Sequence, residues 1–182
     1  MHNYRVHSLE SAPEKSRPAL EGLKKNVGLI PNLAATMAES PVLLNGFVGA
    51  FGNFHGGTFT GAQRQVLLLT NAVTNRSAWA VAYHSTAALK EGVEPDEVEA
   101  IRERRTPKDP KLAALSDFTR ALIEKRGHLD AREIEAFTSA GFRPDQVLEV
   151  MAGLAVSVMA NYAGNIAQPP LEEPFRAQAW SL

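Results

Sequence analysis

The chain contains no cysteine. That absence excludes disulfides, thiolate metal ligands and any thiol redox cycle carried by its own side chains, because each of these needs a thiolate. An excess of one charge is missing as well: 19 Lys and Arg stand against 20 Asp and Glu, for a net charge of −1. Without a basic surplus there is no electrostatic footprint for nucleic acid or an anionic membrane, and neither partner is expected. The opening residues MHNYRVHSLESAPEKS hold no apolar run followed by a small-residue cleavage pattern. A secretory leader is therefore not expected, and a cytoplasmic location is the default. No stretch alternates with the period-2 pattern of a half-buried strand, and no internal repeat is found.

The one uncharged run long enough to test as a membrane span is Val150 to Pro170. Ser157, Asn161, Asn165 and Gln168 lie inside it and Pro169-Pro170 ends it, so it reads as a helix buried in protein. At 182 residues the chain has enough length for one domain with a proper core, residues 1–182, and too little for two.

What is present is helical punctuation. Arg17-Pro18 opens a helix that Gly28 stops, and Pro31 and Pro41 open two more, to Glu39 and about Phe54. His55-Gly56-Gly57 reads as a flexible connection with an exposed loop histidine. Glu94-Pro95, Asp109-Pro110, Asp130 with Glu133, and Pro144 start four further helices. The last of these is apolar almost all round, which places it at the centre or at a subunit interface. The tail from Leu171 to Leu182, with Phe175 and Trp180, adds apolar surface, so self-association is expected.

The chain is organised around Thr60 to Gly92, TGAQRQVLLLTNAVTNRSAWAVAYHSTAALKEG. It predicts a helix pair, 61–75 and 77–91, begun by a Thr60/Gln63 capping box, broken at Asn75-Arg76 and stopped by Gly92. Ser77, Ala80 and His84 fall at i, i+3 and i+7 on one face of the second helix, where they can line a single pocket. Trp79 and Tyr83 sit one turn apart on the adjoining face, where either ring can form a wall. A lone histidine on an apolar helix is more often a hydrogen-bonded packing residue than a catalyst, so spacing alone does not make a site.

These residues are similar to the core of the alkylhydroperoxidase D-like, or carboxymuconolactone decarboxylase, family. Its redox members carry Glu, then twelve residues on Cys-x-x-Cys, then x-x-x-His. On that pattern Gln65 stands at the Glu position, Ser77 and Ala80 at the two cysteines, and His84 at the histidine. Ser11-Ala12-Pro13, Arg17-Pro18, Gly28-Leu29-Ile30-Pro31-Asn32-Leu33, Ser40-Pro41, Asn161-Tyr162 and Pro170-Leu171 resemble the peroxidase-related branch. The resemblance implies an all-α bundle, a homo-oligomer (dimer, trimer or hexamer) and a peroxidase-related, antioxidant family label.

The family's peroxidase chemistry needs a sulfur at position 80 and a proton carrier at position 65, and Ala80 and Gln65 supply neither. The expected protein is a cysteine-less member with a His84-centred pocket for an unidentified small molecule, shaped by Gln65, Ser77, Trp79 and Tyr83, with His55 nearby. Two alternatives stand beside it: a decarboxylase or isomerase-like enzyme with His84 as acid or base, and a non-catalytic scaffold. No cofactor is expected. Nor is a metal, since His2, His7, His55, His84 and His128 show no ligand spacing.

Overall fold

A computed structural model of the chain describes residues 4–181. His2 and Leu182, which entered the reading above, lie outside the described residues. Among the described residues nine α-helices follow in order: α1 Arg17–Val27, α2 Asn32–Met37, α3 Pro41–His55, α4 Gly61–Thr74, α5 Ala78–Lys90, α6 Pro95–Arg102, α7 Pro110–Glu124, α8 Ala131–Ser139 and α9 Pro144–Ala167, with no strand. Short 3-10 turns at Glu14–Ser16 and Glu173–Gln178 flank the bundle. The all-α expectation therefore holds.

α4 is the axis. Every residue from Gln65 to Val73 is buried, because α5, α6, α7 and α9 pack around it. Its start is the expected capping box: Gln63 N–H donates to Thr60 Oγ1 at 3.2 Å and Thr60 N–H donates to Gln63 Oε1 at 3.0 Å. In its interior Thr70 Oγ1 reaches Val66 O at 2.8 Å and Ser116 Oγ of α7 at 2.9 Å, while Asn71 Oδ1 is buried without a partner among the described residues.

The predicted break at Asn75-Arg76 has a definite form. Arg76 takes a left-handed φ of 54°, its N–H donates to Val73 O and the Ser77 N–H donates to Ala72 O. This paired closure satisfies the last carbonyls of α4 and turns the chain straight into α5. The same closure ends α6 at Arg104 (φ 60°), α7 at Arg126 (φ 53°) and α5 at Gly92 (φ 81°). Glycine is the usual residue in this conformation. Arginine stands there three times, its cation beside the negative end of a helix.

α9 is not enclosed within the single chain, so of its two expected placements, centre or subunit interface, the first does not hold. Val150, Gly153, Val156, Ser157, Ala160 and Asn161 are buried, but Leu148, Met151, Tyr162 and Ile166 stay exposed on its other side. Its composition and length alone would suit a membrane span, and 39% of that window is buried inside the protein. All-round burial within the chain belongs to α4, because α9 leaves one face uncovered. Gly153 lets it approach closely: a Cβ there would lie 2.5 Å from Leu67 Cδ2 and 3.0 Å from the Phe54 ring.

The connection at 55–57 is also not the loose loop expected. His55 is the last residue of α3, half-buried, with its ring 3.9 Å from that of Phe51. The following residues cradle a carboxylate: Glu149 Oε1 accepts from Thr58 N–H at 2.6 Å, and a Cβ on Gly57 would lie 2.1 Å from that oxygen. The tail packs on the chain's own surface. Phe175 is buried against Trp79 and Tyr83 of its own chain, so it adds no outer apolar surface.

Candidate functional site

α5 carries the candidate residues because its sequence is rich in small side chains. Ala80, Val81, Ala82, Ser85 and Ala88 bury its inner face and leave Trp79, Tyr83 and His84 as the bulky groups. A cavity of about 40 Å³ opens beside them. Trp79, Ala80, Tyr83 and His84 line one side, and Leu23, Phe47, Phe51, Leu68, Val156 and Ser157 are among the residues that complete it. The walls thus come from six helices far apart in sequence.

His84 Nδ1 lies 2.9 Å from Gln65 Oε1 across the α4–α5 contact. An amide oxygen only accepts, so Nδ1 carries the proton and Nε2 the lone pair. The Gln65 contact is the one hydrogen bond His84 makes among the described residues, so Nε2 makes none. Burial pushes the His84 pKa down to about 3, with a smaller contribution from His55 nearby. His84 is therefore a neutral acceptor at ordinary pH. His55 donates from Nδ1 to Phe51 O at 3.1 Å, and its pKa is also lowered, mainly by burial. It does not line the cavity. It backs Phe51, which does.

Trp79 and Tyr83 stack with ring centroids 5.3 Å apart and planes 12° from parallel. Trp79 Nε1–H donates to Glu172 Oε2 at 2.8 Å. Burial raises the Tyr83 pKa, and the Glu172 charge adds to the effect. Ser77 is buried but lies outside the cavity wall, its Oγ next to Gly164 and without a partner among the described residues. Of the residues picked out in sequence, the structure gathers His84, Ala80, Trp79 and Tyr83 at the cavity and sets Gln65 behind His84. Ser77 and His55 sit outside it. Reading the sequence missed Glu172 and did not place Phe175 at the site, since nothing local to residues 172–175 signals contact with α5.

Among the described residues no group of three or more His, Cys, Asp or Glu is placed to hold a metal. The charges near the cavity are few, and the wall itself is mostly apolar. Chemically, the arrangement offers one neutral hydrogen-bond acceptor in a small, mostly apolar, aromatic-walled space.

Solved structures share this architecture. A peroxidase-related protein of Ralstonia eutropha JMP134 with an alkylhydroperoxidase AhpD core aligns with TM-score 0.84 at 18% identity, covering 95% of this chain and 93% of that one. The debrominase Bmp8, as a variant with one cysteine replaced by alanine and bound to 2,3,4-tribromopyrrole, aligns with TM-score 0.80 at 19% identity, over 98% and 96% of the two chains. A peroxidase-related protein of Silicibacter sp. TM1040 aligns with TM-score 0.79 at 15% identity, over 97% and 94%. No curated protein matches in sequence. At these identities the likeness establishes the fold. Residues 41–108, from the start of α3 to just past α6, match the carboxymuconolactone decarboxylase family within a fold shared with these structures, in a chain that has no cysteine.

Proposed function

We propose that this protein binds a small, largely apolar molecule bearing one N–H or O–H donor in the His84 cavity, and that it has no thiol peroxidase cycle. The observation that carries the reading is the pinned tautomer of His84: with Nδ1 committed to Gln65 at 2.9 Å, the unpartnered Nε2 accepts from a ligand. Proton-transfer catalysis is less well supported, because a general base works best with a pKa near the operating pH and burial holds His84 at about 3. A pure packing role is less well supported too, since a residue there only to fill space leaves no cavity beside it.

Bmp8 supports the ligand class by analogy, as its cysteine-to-alanine variant holds a halogenated pyrrole. The test compares two five-membered rings by ¹⁵N NMR of the His84 imidazole. Pyrrole, which has an N–H, is expected to move the Nε2 resonance; furan, which lacks one, is expected to leave it in place. Equal responses to both rings, or none to either, would overturn the reading.

Self-association is a second part of the proposal. Leu148, Met151, Tyr162 and Ile166 present an exposed apolar stripe on α9, and contiguous patches of this kind mark interaction surfaces. Sedimentation at micromolar concentration is expected to give a species of at least two chains, which Met151→Lys with Ile166→Lys dissociates. A wild-type monomer contradicts it.

A further inference from the structure

The cavity is too small, as it stands, for the rings it is proposed to bind. About 150 Å³ encloses a benzene molecule, and the space beside His84 is about 40 Å³. A ring therefore enters only if wall side chains move, and the structure shows what holds the two that face it. Glu172 accepts from Trp79 Nε1–H at 2.8 Å through one carboxylate oxygen and from the Asn32 backbone N–H at 2.6 Å through the other. Phe175, buried, sets its ring edge-on to both Trp79 and Tyr83, with centroids at 6.0 and 5.1 Å.

Resting on the reading that the His84 cavity is the ligand site, we propose that Glu172 and Phe175 are specificity-determining residues: they clamp Trp79 and Tyr83 over the cavity and set the largest ring it admits. The anchoring of the segment agrees with this role. Its two ends are tied down, by Asn32 Nδ2–H donating to Pro170 O at 2.9 Å and by Arg102 donating to Gln178 O at 3.0 Å and Ala179 O at 3.2 Å. Between them lies the 3-10 element Glu173–Gln178, with Phe175 as its one buried residue. Elements held by a small set of identifiable side-chain contacts can open without global unfolding, and here those contacts are the Glu172 hydrogen bonds and the Phe175 ring on α5. The strap can thus lift between fixed ends without unfolding the bundle. It also lies outside the matched family segment, which ends at residue 108. Ligand size is therefore set by a part of the chain separate from the part that carries His84.

A site that binds only when open has an apparent Kd equal to the intrinsic value divided by the open fraction. Weakening the clamp therefore tightens binding of large rings by the same factor by which opening becomes more frequent. Both quantities are measurable on Glu172→Ala and, as a milder variant that keeps apolar bulk, Phe175→Leu. Opening is read from solvent exchange of the Trp79 indole N–H, identified against the only other tryptophan, Trp180, with a Trp180→Phe variant. Affinity is read by titrating pyrrole and the larger indole.

Glu172→Ala is expected to speed Trp79 indole exchange about tenfold or more, the scale of one charge-assisted hydrogen bond, and to tighten indole binding by a similar factor. Pyrrole is expected to gain less. If pyrrole binds wild-type protein but the two variants keep the wild-type preference between pyrrole and indole, the clamp is overturned and the His84 site stands. Faster exchange with no change in ring preference overturns it as well. If no ring binds wild type or variants, the ligand site itself is overturned and the clamp with it.

Discussion

Lowering the pH from 7 to 4 is expected to remove about 3 kcal/mol of stability through His84 alone. The ordinary histidine pKa of 6.5 applies to the unfolded chain, while burial holds the folded value at about 3. Between these values the unfolded state binds a proton that the folded state refuses, so stability is fully present above 6.5 and falls as the pH drops toward 3. At about 1.36 kcal/mol per unit, the interval from 6.5 to 4 gives a loss on the order of 3 kcal/mol. His55, whose pKa is also lowered, contributes with the same sign. The measurement is urea unfolding of wild type and His84→Phe at both pH values. The variant carries a constant penalty from the lost Gln65 bond, which cancels in its own pH difference. Its loss between pH 7 and 4 is expected to be smaller than wild type's by about that 3 kcal/mol. Equal losses would show that His84 takes up its proton in the folded state as readily as in the unfolded chain.

Phe54→Ala is expected to destabilise the fold by about 3–5 kcal/mol, the usual range for emptying a buried aromatic site. Phe54 is 2% exposed and stands where α3, α4 and α9 meet, over Gly153 and near Leu67. Gly153→Ala alone is expected to cost about 1–3 kcal/mol, since its methyl would strike Leu67 and the Phe54 ring. The roughly 1 kcal/mol of helix propensity alanine gains over glycine offsets part of the overpacking. The pair is informative together: with the Phe54 ring gone, the methyl added at position 153 has part of the hole to occupy. The double variant should therefore be more stable than the sum of the singles by about 0.5–3 kcal/mol. Urea midpoints at unchanged slope would measure all three. Simple additivity would mean that α9 does not pack against Phe54 as described.

Much of the secondary structure was legible because local chemistry marks it. Prolines at the starts of α3, α6, α7 and α9, the Thr60 and Asp130 capping boxes and glycines at 28, 92, 127 and 141 act within one turn of chain. No distant partner is needed for their effect. The break after α4 was legible for a weaker reason, a polar Asn-Arg pair between apolar runs, and the left-handed Arg76 was not foreseen.

The candidate site divides along the same line. Helical spacing on α5 by itself brought His84 near Ala80 and Trp79 near Tyr83, because i, i+3 and i+4 neighbours share a face wherever the helix is placed. Sequence likewise determined that no thiol chemistry is available. Tertiary structure alone decided that Gln65 fixes the His84 tautomer and that Ser77 is buried away from the cavity. It alone closed residues 172–175 over Trp79. Each of these depends on which helix faces which across 19 to 93 residues of chain. Such contacts are selected by the packing of the whole core, and periodicity shows only that a residue has a buried face, not what that face will meet.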